Sequence, residues 1–178
     1  MVMCFLVSSC VRTHTVISKC VRTHKSWYCV VMPEDLADTW GALLKVHAAL
    51  VPLFDRELQE THGLPLTWYD VLLELNAAPE RRLTMGQLGS AAAVSRTRVS
   101  RVVDELVRAG LVAREPNPDD GRSAFAAMPP AGRAALRKAA PTYVAAVQRE
   151  FASHLTAREA EVLARALRKV LAAGAHER

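Results

Sequence analysis

Cysteine and acidic residues are each missing from one part of this chain, and both patterns change at Met32. Residues 33–178 contain no cysteine, so disulfide bonds cannot stabilise this part and a reducing cytoplasm suits it. Residues 1–32 hold all four cysteines, yet they contain no acidic residue and no alanine. The abrupt change indicates that the first 32 residues are an extension unlike the rest of the protein.

Long apolar runs are also absent. No stretch reaches the roughly 18 consecutive apolar residues that a membrane-spanning helix needs, and residues 1–7 are too short for a signal peptide. We therefore expect a cytoplasmic protein with no membrane partner. Of the 23 Lys and Arg residues, four lie in the extension, which leaves 19 to balance all 18 Asp and Glu. Any basic binding surface must then be local.

Apolar residues at helical spacing predict long outer helices. The first covers about residues 33–60 with a kink at Pro52, and the turn-forming residues 62–65 stop it. Thr67 is expected to cap a second helix. Two further helices are predicted between residues 130 and 173. Because one copy offers little surface for so much apolar helix to pack on, we expect a two-fold homodimer.

Capping signals locate the shorter helices. Thr84 and Gln87 fit a capping box that opens a third helix, and residues 156–159 fit another near the C-terminus. Ser95 is expected to cap a fourth helix, which Gly110 ends. The third and fourth helices therefore lie close together in the sequence, joined by a tight turn.

A hairpin is predicted directly after the fourth helix. Residues 111–115 and 123–128 have strand character and flank the turn-forming residues 116–121. Two short helices, a tight turn and a hairpin follow one another in the order of a winged helix-turn-helix, which places one helix in the major groove of DNA. The expected fold is mainly α with a small β-hairpin wing.

The polar face of the fourth helix carries the candidate chemistry. Arginine forms paired hydrogen bonds with the major-groove edge of guanine, hydroxyl groups can bond phosphates, and an arginine on the wing suits the minor groove. The alternatives are a solvated helix face and a plain surface loop. Asp120 is expected to hold the shape of the wing tip. The predicted DNA contacts are Ser95, Arg96, Thr97, Arg98, Ser100, Arg101 and Arg122.

These segments resemble the MarR family of bacterial transcriptional regulators. The resemblance rests on Val-Ser-Arg at 94–96 and again at 99–101, Gly-Leu-Val at 110–112 and Asp-Gly-Arg at 120–122. It extends to Pro-Ala-Gly-Arg at 130–133 after the wing. One departure is Met-Pro-Pro at 128–130, where the family usually has Leu-Thr-Pro.

The resemblance implies a particular organisation and function. Residues 65–129 would form the DNA-binding lobe, and residues 33–64 and 130–178 would form the helical dimerisation region. The protein would bind an inverted-repeat operator as a dimer, usually as a repressor that a small ligand or oxidation releases. In this family ligands enter a cleft between the dimer helices and the lobe. Trp40, His47, Trp68 and Tyr69 lie on the segments expected to line it. The alternative, which these residue types favour, is that they are ordinary core aromatics and a core or surface histidine.

Other function classes receive less support from the sequence. No nucleophile–base pair, paired-carboxylate motif or phosphate-binding loop is present, so we do not expect an enzyme, and no cofactor or metal is expected. The alternative function is a ligand- or metal-binding sensor that acts through protein contacts. Loss of operator binding on replacing a fourth-helix or wing arginine would distinguish the two.

The extension contains a direct repeat, because residues 10–14 and 20–24 both have the sequence Cys-Val-Arg-Thr-His. The repeat could supply zinc ligands, although its Cys-to-His spacing is not a common zinc pattern. Alternatively the extension is disordered, or translation begins at or near Met32. The codons of the repeated peptide are also compatible with an inverted repeat in the DNA. That observation predicts that the protein represses its own gene.

Overall fold

The computed structural model describes residues 16–22, 27–91, 96–118, 120 and 123–175. The chain divides into two compact units, Met1–Ala49 and Leu50–Arg178.

The first unit contains a pair of antiparallel strands before a helix. Strand β1 (Val16–Arg22) pairs with β2 (Trp27–Pro33), and Cys20 lies opposite Cys29. Helix α1 (Glu34–His62) begins directly afterwards. The strands differ from the disorder expected of the extension. Their β-branched and aromatic residues favour extended backbone, a signal that the lack of a regular alternation had obscured.

The second unit begins within α1 and continues through a tight turn. Helix α1 is continuous through Pro52 and ends at His62, where Gly63 adopts a φ of 63°. Such a left-handed conformation suits glycine, as the sequence predicted for this stop. Helix α2 (Leu66–Ala77) follows.

The predicted cap of α2 is wrong. The N-cap residue is Pro65 and not Thr67, and no side chain of the cap residue bonds the helix. The backbone N–H of Leu66 instead donates to Asp55 Oδ1 at 2.8 Å. The turn after α1 brings this carboxylate back over the start of α2, so a residue eleven positions away satisfies the free N–H group.

The third and fourth helices have the predicted order. Helix α3 (Met85–Ala91) opens with the predicted capping box, in which Gln87 N–H donates to Thr84 Oγ1 at 3.2 Å and Thr84 N–H to Gln87 Oε1 at 2.9 Å. Helix α4 (Arg96–Arg108) ends before Gly110, whose φ is 71°. Both glycine stops thus have the backbone conformation that their positions in the sequence suggested.

The wing, residues 113–127, belongs to a three-stranded antiparallel sheet. Strands β4 (Ala113–Pro116) and β5 (Ala124–Ala127) form the predicted hairpin, and a further strand, β3 (Arg82–Thr84), pairs with the other edge of β5. Strand β3 was not predicted, because three residues are too few to show a strand period. A short 3-10 turn precedes it, with positive φ at Glu80 and Arg81.

Two helices complete the second unit. Helix α5 (Pro130–Glu150) begins with proline at its first position, and α6 (Ala157–Ala175) begins with the predicted capping box of Thr156 and Glu159. No helix in the described ranges is both long and apolar enough to cross a membrane.

Apolar side chains from five of these helices form the core of the second unit. They come from the last part of α1 and from α2, α3, α4 and α5, together with the residues after α4 and around β5. The fully buried large side chains are Leu58, Val71, Leu72, Leu75, Leu88, Val99, Val103 and Leu106. The architecture is therefore mainly α with a small sheet, as predicted.

Candidate nucleic-acid interface

Helix α4 has one buried face and one exposed face. Val99, Val103 and Leu106 are fully buried and Val102 nearly so, which fixes the orientation of the helix about its axis. Arg98, Ser100 and Arg101 are exposed. The valine stripe is therefore buried as predicted, and its burial leaves Arg98, Ser100 and Arg101 exposed to solvent.

The two acidic residues of α4 are held by neighbouring elements. Asp104 Oδ1 accepts a hydrogen bond from Arg114 Nη2 of β4 at 2.7 Å. Glu105 Oε2 accepts one from the indole N–H of Trp68 on α2 at 2.9 Å. Neither contact is predictable from the local sequence. Because both carboxylates are engaged, α4 is tied to α2 on one side and to the wing on the other.

These contacts also affect the charge that α4 presents. A carboxylate on a DNA-facing helix would repel phosphate, whereas Asp104 is matched by the guanidinium of Arg114. Arg98 and Arg101, one turn apart, then dominate the exposed face nearer the start of the helix. These two exposed cations lie on the helix where the sequence predicts a local basic surface, and that role stays a prediction.

The wing turn is held by backbone and side-chain hydrogen bonds. Asn117 Nδ2 donates to Ser123 Oγ at 2.7 Å, and the backbone N–H of Ser123 donates to the carbonyl of Asp120 at 2.9 Å. At the base of the wing, Arg82 lies over the ring of Phe125, 5.0 Å from its centroid. Asp120 thus takes part in the turn through its backbone, and its predicted carboxylate role stays a prediction.

Several predicted contact residues fall outside this description. Ser95 and Arg122 are not among the described residues, and of Arg96 and Thr97 only the backbone is described, as the first turn of α4. Their roles stay predictions. Among the predicted contacts, the structure thus places Arg98, Ser100 and Arg101 together on one exposed helix face.

Comparisons with known proteins agree with this geometry. A model of the MarR family matches residues 62–123. Sco3205 of Streptomyces coelicolor, a MarR family transcriptional regulator solved in complex with DNA, is 32% identical. The match covers 78% of this chain and 87% of Sco3205, with a TM-score of 0.72. This chain belongs to the MarR family of transcriptional regulators.

Other solved MarR proteins resemble the chain to a similar degree. AbsC of Streptomyces coelicolor is 28% identical over 82% of this chain and 98% of AbsC, with a TM-score of 0.74. Sco5413 of the same organism is 25% identical over 81% of this chain and 98% of Sco5413, with a TM-score of 0.68. No curated protein matches the chain.

The four predicted ligand residues of this MarR protein are divided between the two units. Trp40 and His47 are exposed on the first part of α1. Trp68 is half-buried, and Tyr69 is buried with its ring centroid 4.7 Å from that of Tyr143 on α5. Trp68 and Tyr69 therefore have structural contacts of their own. A ligand role for the four residues stays a prediction.

An acidic group lies beside these aromatic side chains. Burial, together with the negative charge of Glu74, raises the pKa of Asp70 to about 6. Burial also raises the pKa of Tyr69 and of Tyr143, and the charge of Asp70 adds to both effects. No local pattern predicts this cluster, because Asp70 is adjacent to Tyr69 in the chain but comes near Tyr143 only through the packing of α2 against α5.

A polar cleft lies next to the wing. The cleft, of about 630 Å³, lies between the start of α3 and the wing and is lined in part by Thr84, Arg114 and Asn117. Neither Trp68 nor Tyr69 lines it. The described residues hold no group of three His, Cys, Asp or Glu side chains placed to bind a metal ion. The side chains of the Cys-Val-Arg-Thr-His repeats lie outside the described part.

Proposed function

We propose that this protein is a cytoplasmic, homodimeric repressor that binds an inverted-repeat operator in double-stranded DNA. Each protomer would place α4 in the major groove and the tip of its wing beside the adjacent minor groove. A small ligand would release the DNA. We further propose that its own gene is among its targets.

One observation carries the proposal. Arg98, Ser100 and Arg101 are exposed on a helix whose opposite face is fully buried. Helix α4 is therefore a rigid support that offers only its polar side to a partner. Guanidinium and hydroxyl groups in this arrangement match the hydrogen-bonding edge of guanine and the DNA phosphates.

Two further observations support DNA as the partner. The contacts of Asp104 and Glu105 hold α4 against its neighbours. Neither contact involves Arg98 or Arg101. The relative Sco3205, 32% identical, was solved in complex with DNA. The family's regulators supply the precedent, and the basic face of α4 supplies the chemistry in this chain.

The experiment selects DNA from fragments of the source genome with the full-length protein and measures binding by fluorescence anisotropy. Arg98→Ala and Arg101→Ala should each weaken binding to the selected DNA by about 1–3 kcal/mol, because each would remove a bidentate contact to a base. Arg122→Ala should have an effect of similar size.

The matched control is Arg137→Ala, which removes an exposed arginine from α5. It changes the net charge by the same amount, so it measures the non-specific part of the loss. Circular dichroism checks that each variant is folded. Equal losses for all four variants would rule out a specific role for α4, and failure to select any DNA would contradict the proposed function itself.

Release by a ligand would involve the cleft expected between the dimer helices and the DNA-binding lobe. Trp40, His47, Trp68 and Tyr69 are the residues we propose for it. Trp68 offers a physical route for the signal, because its indole N–H bonds Glu105 of α4. A ligand that broke this hydrogen bond would remove one of the two polar contacts, Trp68–Glu105 and Arg114–Asp104, that hold α4 in place.

A further inference from the structure

The repeated peptide of the extension lies outside the DNA-binding surface proposed above. Residues 10–14 and 20–24 share the sequence Cys-Val-Arg-Thr-His. The genetic code restricts the DNA that can encode it. With arginine encoded by CGN, the sequence is TGY-GTN-CGN-ACN-CAY, where Y is a pyrimidine and N is any base. The repeat can thus be examined as DNA as well as peptide.

As DNA, the first fourteen positions have two-fold symmetry. Five pairs of symmetry-related positions are fixed by the code, and all five are complementary: first with fourteenth, second with thirteenth, fourth with eleventh, fifth with tenth, and seventh with eighth. Four of these pairs hold for every codon choice, and the central pair follows from the CGN codon of arginine. The remaining two pairs are free to match, which gives TGCGTNCGNACGCA as one perfect inverted repeat.

We propose that the two copies of this sequence are operators of the protein, and that binding there represses its own gene. The inference rests on the proposed function and gives it a DNA sequence and a position. The second copy begins ten codons after the first, which places the operators 30 base pairs apart. The peptide repeat is then a consequence of a repeated binding site in the DNA.

The assumed arginine codons agree with the composition of the whole chain. The sequence contains 18 arginines and 5 lysines. Lysine is encoded only by AAR, whereas arginine can use the GC-rich set CGN. A strong excess of arginine is therefore typical of GC-rich coding DNA, in which CGN codons prevail over AGR. The same bias favours cytosine at the third position, as TGCGT requires.

The bases of each half-site suit the exposed face of α4. The half-site TGCGT has guanine at its second and fourth positions on one strand, and its cytosine pairs with a guanine on the other. Guanine offers O6 and N7 as acceptors in the major groove, and arginine is their commonest specific partner. Arg98 and Arg101, which are exposed and one turn apart on α4, would meet them.

The spacing within each operator suits a two-fold dimer. The centres of the two half-sites are nine base pairs apart, or about 31 Å at 3.4 Å per base pair. Winged-helix and related dimers place their recognition helices about one helical turn apart. The two operators are about 2.9 helical turns apart at 10.5 base pairs per turn, so two dimers would lie on nearly the same side of the DNA.

The first test is the nucleotide sequence of the gene itself. The proposal requires CGN at Arg12 and Arg22 and complementary third bases in the free pairs. An AGR codon at either arginine would overturn it for that copy, because it breaks the central pair. Non-complementary bases at the free positions of both copies would overturn it altogether.

The second test measures binding of the full-length protein to a duplex that spans the codons for residues 8–26. We expect two successive complexes on titration, and only one when either copy is scrambled. Synonymous recoding of both copies, with AGR for arginine and mismatched third bases, should weaken binding more than tenfold. In cells, the same recoding should relieve repression of a reporter although the encoded protein is unchanged.

The outcomes separate this inference from the proposed function. Strong binding to other genomic fragments but not to this duplex would overturn the inference and leave the proposed function standing. Failure to bind any DNA would contradict both. Equal affinity for the native and the recoded duplex would also overturn the inference, because binding would then depend on the phosphates alone.

Discussion

At the scale of single residues, Asp70 is an acid in an unfavourable place. It lies partly buried beside Tyr69 and Tyr143, and the charge of Glu74 adds to the effect of burial. Its pKa is raised from 3.8 to about 6, so the folded protein binds this proton more tightly than the unfolded chain does. The free energy of unfolding contributed by Asp70 therefore falls as the pH rises from about 4 to 6 and stays low above that range.

Replacing Asp70 by asparagine should remove this penalty. We expect Asp70→Asn to stabilise the protein by about 1–2 kcal/mol at pH 8 and to have little effect on stability at pH 4. The value at pH 8 is reduced to allow for the partial exposure of the carboxyl group. Urea unfolding at both pH values, at one protein concentration, measures the difference. Glu60→Gln, at an exposed carboxylate, is the control. A stabilisation by Asp70→Asn that is the same at pH 4 and pH 8 would contradict this account.

Gly132 shows how closely the start of α5 packs on the segment after α4. A Cβ atom at this position would clash with the carbonyl oxygen of Leu111 and would lie 3.1 Å from Met128 Cγ. The first neighbour is backbone and cannot move aside cheaply. The absence of a side chain at Gly132 therefore permits the contact between these two segments.

Gly132→Ala should destabilise the protein by about 1–3 kcal/mol or more, because the added methyl group overpacks this contact. Gly86→Ala in α3 is the matched control, since its Cβ would meet nothing closer than Thr84 Oγ1 at 3.9 Å. That change should be neutral or stabilise the protein by up to about 1 kcal/mol. Thermal unfolding distinguishes the two, and a loss of similar size in both variants would show that close packing at Gly132 is unimportant.

At the scale of elements, the position of α4 depends on contacts that differ in chemistry. Apolar packing of its valine stripe fixes the buried face, while Trp68 and Arg114 hold its acidic residues. Trp68 links α2 to α4, and Arg114 links β4 to α4. The exposed Asp104–Arg114 pair adds little energy by itself, so the half-buried Trp68–Glu105 bond is the stronger of the two.

Trp68→Phe tests that bond. It keeps an aromatic side chain but removes the N–H donor, so the carboxylate of Glu105 loses its indole partner, and we expect a destabilisation of about 1–3 kcal/mol. Glu105→Gln is the matched variant, because its amide oxygen still accepts the indole N–H, and the loss should be smaller. Chemical denaturation measures both. If Glu105→Gln proved as destabilising as Trp68→Phe, the charge and not the donor would be the important feature.

At the scale of the whole molecule, apolar side chains remain exposed on the outer helices. On α6, Val170 and Leu171 are 69% and 70% exposed, and on α1, Leu36 and Trp40 are each 55% exposed. Isolated exposed apolar side chains are common, but a series of them along amphipathic helices is typical of an interface. This is the physical basis for proposing a homodimer.

The double variant Val170→Glu/Leu171→Glu should shift the protein from dimer to monomer in sedimentation velocity, because it places two charges in the proposed interface. Arg168→Glu, at an exposed position of α6, changes the net charge by the same amount and is the control. Loss of the dimer should also weaken DNA binding, since a monomer can contact only one half-site. A wild-type protein that sediments as a monomer would contradict the dimer.

The sequence by itself determined the order of the central elements and the orientation of α4. The glycine stops, the two capping boxes and the period of the valine stripe are local signals, so residues within a few positions of one another were enough to predict them. The same signals placed Arg98 and Arg101 on the exposed face, and with them the candidate DNA-binding surface.

Only the tertiary structure decided what depends on residues far apart in the chain. It replaced the predicted Thr67 cap with Asp55, added β3 to the sheet, and paired Trp68 with Glu105. It also brought Tyr143 to Asp70. In each case one short or polar feature meets a partner from another element. No sequence period encodes such a meeting, because the packing of the helices alone sets the distance between the two groups.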